Sequence, residues 1–109
     1  MSLPTPEDPG RTPVWENYVV AQVAQASLGQ IPEHALAVGV EVEGPRLRLR
    51  FQLSEATEGD RADMDDIVSE LESLVGKDVE VASFHEVLDQ RAISPTDGVR
   101  RIFLARVAA

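Results

Sequence analysis

The sequence predicts an α+β fold: an αββαββ two-layer sandwich whose two main helices cover an antiparallel or mixed four-stranded sheet. Three observations carry this. Two segments repeat apolar residues at helical spacing, over 14–28 and 64–75. Between them, residues 36–53 alternate strictly around Gly44-Pro45, which marks a hairpin. Two further short apolar runs follow the second helical segment. At 109 residues the chain is long enough to bury a core as one domain.

Residues 1–12 hold Pro4, Pro6 and Pro9 around charged and small residues, and read as a flexible tail before a single domain over 13–109. The start lacks the basic and apolar stretches of a signal peptide, which predicts a cytoplasmic protein. Order is expected from Thr12 as N-cap and Pro13 at the first helical position. Trp15, Tyr18, Val19, Val23 and Ala26 then form one buried stripe, with Val20, Ala24 and Leu28 beside it. Gly29 and Pro32 end that helix.

The period next changes to two. A two-residue loop at Gly44-Pro45 sets Glu43 against Arg46 and Glu41 against Arg48 on the wet face. The same register sets Val42 on Leu47, Val40 on Leu49 and Val38 on Phe51 on the dry face. The second helix carries Met64, Ile67, Val68, Leu71, Leu74 and Val75 inward. Thr57 or Asp60 is its cap, and Gly76 its stop. A third strand is expected over 79–84 and a fourth over 99–107. Apolar residues on both faces of the fourth, with Ile102 and Leu104 opposite Phe103, Ala105 and Val107, predict a position inside the sheet. Val87, Leu88 and Ile93 are expected to pack as a short turn or helix between them, ahead of a turn over 94–98.

Composition narrows the function. Nineteen acids against ten Lys and Arg give a net charge of −9, which disfavours nucleic acid as a partner. No apolar run reaches the length of a membrane span. The absence of cysteine excludes disulfides, thiolate metal sites and cysteine nucleophiles. No catalytic or phosphate-binding motif is found, so neither catalytic residues, a cofactor nor a metal is expected. His34 reads as a loop residue, and His85, Glu86 and Asp89 make at most half a metal site. Arg46, Arg48 and Arg50 line one strand face, but Glu41 and Glu43 oppose them and no aromatic interleaves there to stack a base. Arg100, Arg101 and Arg106 either extend that patch or pair with the acidic helix.

The acids are not evenly spread. Residues 55–90 hold twelve acids and two bases, so the remaining seven acids and eight bases nearly cancel. Glu58, Asp60, Asp63, Asp65, Asp66, Glu70 and Glu72 surround the second helix and are the candidate partner-binding residues. Like charges three or four residues apart cost a helix roughly 0.2–0.5 kcal/mol each. That cost is met either by a solvated surface or by a cationic partner.

A small, acidic, cysteine-free chain with a Trp15-Glu16-Asn17-Tyr18 helix and the acidic run DMDDIVSELESLVG over 63–76 resembles immunity proteins of bacterial polymorphic toxin systems, in particular those of contact-dependent growth inhibition. The resemblance implies a protein that neutralises a cognate, basic toxin domain by covering its active site or a nearby surface, without catalysis. The expected partner is thus a cationic protein, with no nucleic acid and no membrane, and the inhibitor is a monomer or weak homodimer. A DNA mimic is a poorer match, because one acidic segment does not spread phosphate-like spacing over the surface. Two alternatives stand beside it: a self-associating structural or regulatory module, and a small-ligand or carboxylate enzyme domain gathering His85 with Glu86 or Asp89.

Overall fold

A computed structural model describes residues 12–94 and 97–105. Residues 1–11 of the expected flexible tail and the Pro95, Thr96 and Arg106–Ala109 positions lie outside the described residues, Arg106 of the expected patch among them, while Thr12, expected to end the tail, is helical. The element order is α1 (Thr12–Ser27), β1 (Ala35–Glu43), β2 (Arg46–Leu53), α2 (Glu58–Val75), β3 (Glu80–Val87) and β4 (Arg100–Leu104). This is the αββαββ order of an α+β fold with a four-stranded mixed sheet.

The hairpin forms in the register that its alternation requires. Val42 meets Leu47, Val40 meets Leu49, Val38 meets Phe51, and Glu41 and Glu43 meet Arg48 and Arg46. Gly44 takes φ +57°, which proline at the next position cannot share, so Gly-Pro suits a tight two-residue turn. The dry face of the hairpin is covered by α1 and α2. Val38, Val40, Leu47, Leu49, Phe51 and Leu53 pack against Trp15, Val19 and Val23 of α1 and Met64, Ile67 and Leu71 of α2. The Trp15 indole N–H donates to the Gly44 carbonyl at 2.8 Å, pinning the start of α1 over the hairpin turn. At the other end of α1, the Gln30 amide donates to the Ala26 carbonyl, one of the last-turn carbonyls without an intrahelical partner, and the Ser27 hydroxyl donates back to the Val23 carbonyl. Leu28 projects from that end, exposed, and adds nothing to the core.

The sheet order is β3-β2-β1-β4. β3 joins β2 in parallel after the α2 crossover, and β4 joins β1 antiparallel. β4 therefore lies at an edge, not inside the sheet as its two apolar faces suggested. The reason is a bulge: Phe103 pairs with Val38 and Arg101 with Gly39, leaving Ile102 as an extra residue. Ile102 and Phe103 both pack against the core, while Leu104 stands half-exposed on the opposite face. Strict alternation misassigned these side chains because one inserted residue reverses the parity. β3 also runs three residues beyond its expected end, taking in His85, Glu86 and Val87. No helix forms over 88–94; Val87 and Ile93 remain exposed.

Candidate protein-binding face

The acidic face is carried by α2, whose position follows from its N-terminus. Thr57 is the N-cap, and its hydroxyl accepts the Asp60 N–H at 3.1 Å. Asp60 returns the bond, accepting from the Thr57 N–H at 3.0 Å and its hydroxyl at 2.9 Å. Thr57 and Asp60 thus form a capping box with Asp in the place usually held by Glu or Gln. The same carboxylate reaches the chain before β1, accepting from the His34 N–H at 3.2 Å and from His34 Nδ1 at 2.7 Å. Burial pushes the Asp60 carboxyl up, but the bonds from the Thr57 backbone and His34 outweigh it and hold it at about 2. The bond to Asp60 in turn raises His34 above 6.5, against the smaller effect of its partial burial.

Asp60 is therefore removed from the candidate partner-binding set. Its side chain is 1 % exposed and its oxygens are filled from within the fold. The Thr57-x-x-Asp60 spacing was the available signal, since a capping box turns its acid toward the backbone. His34, read as a loop residue, is the other half of this internal lock.

The remaining acids divide between two flanks. Met64, Ile67 and Leu71 face the core, so Ala62, Ser69 and Ser73 form the outward ridge. On the α1 side, Asp66 and Glu70 border a polar groove of about 200 Å³ shared with Gln30, Ser69 and Ser73. Asp63 lies on this side as well, half-buried. Glu72 borders an adjoining depression with Ser69, Ser73 and Lys77. Asp65 sits on the other flank, beside Arg61, Ser83 and His85. Glu58 occupies the first turn, where the helix dipole already favours an acid. Among the described residues, Asp60 is the only acid of α2 with an ion-pair partner. Glu58, Asp65, Asp66, Glu70 and Glu72 are exposed.

The arginine stripe is differently placed. Arg48 and Arg50 both reach Glu41, the former at 3.8 Å, while Arg46 pairs with Glu80 of β3 at 3.5 Å instead of with Glu43 opposite it. An aromatic does occupy this face: Phe84 arrives from β3, with the Arg50 and Arg48 guanidiniums 4.9 Å and 5.7 Å from its ring centroid. Arg101 joins the same face and binds Asp97 at 2.5 Å, whereas Arg100 turns to the helix layer and binds Glu16 of α1 at 3.2 Å, not the acids of α2. His85 and Glu86 point to opposite faces of β3, so the proposed His-Glu pairing is not assembled. Among the described residues, no group of three or more His, Asp or Glu is placed to hold a metal. No helix among them is long and apolar enough to cross a membrane. No protein-family model matches the chain, and no curated protein does.

Proposed function

We infer that this chain is a non-catalytic binding protein that docks a cationic protein domain on the outer face of α2, as an immunity protein covers its toxin. One observation carries the reading: Asp66 and Glu70 line one polar groove and Glu72 an adjoining depression across the Ser69 and Ser73 ridge, on a helix whose opposite side is locked into the core, and among the described residues none of the three has an ion-pair partner. A rigid, unneutralised row of this kind presents charge without a large ordering cost on binding. Asp65 and Glu58 extend the field around the row without belonging to the groove. The mechanism is steric occlusion of the partner, with the acids accelerating encounter and aligning the two surfaces.

The direct test is binding to the product of the adjacent gene, measured by surface plasmon resonance across a salt series. The expected result is an association rate that falls steeply with salt, and at least a tenfold loss of affinity in the double variant Asp66→Lys, Glu70→Lys. A complex that forms equally well with this variant overturns the assignment of the surface. No complex at any salt concentration overturns the function.

A further inference from the structure

Between β3 and β4, residues 91–94 and 97–99 lie over the open face of the sheet and border a cleft of about 450 Å³. These residues are tied down at several points. Gln52 of β2 accepts the Ala92 N–H at 3.0 Å and donates to the Ala92 carbonyl at 2.6 Å and to Glu86 at 3.2 Å. Arg91 donates to the Ala105 carbonyl at 2.6 Å. Asp97 accepts from the Val99 N–H and from Arg101. Ala37 and Gly39 keep the floor low, so the space survives as a built cleft.

Two cationic groups at this cleft lack what a guanidinium needs. Arg91 is half-buried and, among the described residues, has no carboxylate partner; a single neutral carbonyl takes one of its N–H groups. Arg101 gives one terminal nitrogen to Asp97, and its buried Nε has no acceptor among the described residues. A buried donor left unmatched is uncommon in folded proteins. By contrast, the acids are committed: Glu86 to Gln52, and Asp97 to Arg101 and the connection's own backbone. Arg50, also at the cleft, is held by Glu41.

We propose that this cleft binds a small organic monocarboxylate, its carboxylate held by Arg91 and Arg101 and its apolar body resting on Ala37, Ala92, Ile93 and Val99. Arg50 is neutralised by Glu41 and Arg101 by Asp97, which leaves Arg91 as the guanidinium of the cleft without a carboxylate among the described residues. The planar fork of arginine matches a carboxylate edge, which the terminal nitrogens of Arg91 and Arg101 can grip. The volume exceeds that of a bare oxyanion, and the apolar wall gives the rest of the ligand a surface to cover. The cleft lies on the sheet face away from α2, so its occupancy and the proposed protein interface are separable.

The test is titration of the ¹⁵N-labelled full chain with benzoate at constant ionic strength, with benzamide as the uncharged isostere and inorganic phosphate as the bare oxyanion. Benzoate is expected to shift, saturably, the signals of Gly39, Ala92, Val99, the Gln52 amide and Arg101 Nε, leaving those of Asp66 and Glu70 in place. Benzamide and phosphate are expected to bind at least tenfold more weakly. Arg91→Gln should weaken benzoate at least fivefold. Arg101→Lys, which keeps the charge and removes the planar fork, should do the same with the overall spectrum preserved. The proposal is overturned by the absence of saturable benzoate shifts, by benzamide or phosphate binding as tightly as benzoate, or by full benzoate affinity in both folded variants.

Discussion

The open face of the sheet and the outer face of α2 are both rich in charge, and the fold treats them in opposite ways. On the sheet, neighbouring strands stand close enough for opposite charges to meet, so Arg46, Arg48, Arg50 and Arg101 each find a carboxylate. On α2, Glu58, Asp65, Asp66, Glu70 and Glu72 are exposed, and among the described residues none of these acids has an ion-pair partner. The sheet face spends its charge internally. The helix face keeps its charge available, which is what an electrostatic docking surface requires. A count of charged residues alone would have ranked the two faces alike.

The largest break in this contrast should come from the sheet side. A Cβ at Gly39 would meet Val99 Cγ1 at 2.5 Å and the Arg100 carbonyl at 2.8 Å, so Gly39→Val should push β4 off β1. The expected loss is about 3 kcal/mol, read by chemical denaturation, together with exposure of Arg101 from its pairing with Asp97. A stability within 0.5 kcal/mol of the parent would show that β4 is not held by this close approach.

Next comes the lock beneath α2. Asp60→Ala removes a cap and leaves the Thr57 and His34 donors unmatched, an expected loss of about 2–3 kcal/mol. The same lock predicts a pH profile. Asp60 sits at about 2 in the fold against its ordinary 3.8, so its contribution is present above 3.8 and lost as pH falls through about 2. That limb is worth about 2 kcal/mol. His34 is raised above 6.5, so its contribution is present below 6.5 and lost as pH climbs through its raised folded value. Melting temperature should therefore be highest between those limits. In His34→Gln the alkaline limb should flatten while the acid limb persists.

A smaller effect separates paired from unpaired charge. Arg50→Ala removes a contact to Glu41 and to the Phe84 ring, and should cost about 1 kcal/mol, with Arg48 retaining part of the Glu41 pairing. The smallest effect belongs to the helix. Asp66→Lys replaces a repulsion with Glu70 by an attraction, and should raise stability by about 0.3–0.5 kcal/mol. Denaturation of the two variants side by side gives the sign directly: loss on the sheet, gain on the helix. A loss on the helix would mean that Asp66 has a structural role, and would remove it from the binding face.

Much of the fold was legible because its signals are local. The hairpin register followed from the alternation around Gly44-Pro45, since a one-residue slip would have exposed every valine. The α2 stripe followed from helical spacing, and Gly76 ended it as expected. The candidate face was legible only in outline. Asp60 reads as one acid among many until its box with Thr57 is recognised, and Asp65 falls on a different flank from Asp66. The β4 bulge left no mark in its apolar pattern, so parity counted from the sequence grouped Ile102 with Leu104, whereas Ile102 packs against the core beside Phe103.

By itself, then, the sequence determined the elements, the hairpin pairing and the excess of acid on α2, all of which depend on residues within a few turns or one tight loop of each other. Tertiary structure alone decided that β4 is an edge strand, that Phe84 comes to lie against Arg50, that His34 closes on Asp60, and that residues 91–94 and 97–99 border a cleft on the sheet. Each of these joins residues 26 or more positions apart. Contacts of that kind are selected by the packing of whole layers and the closing of long loops, for which no local period exists.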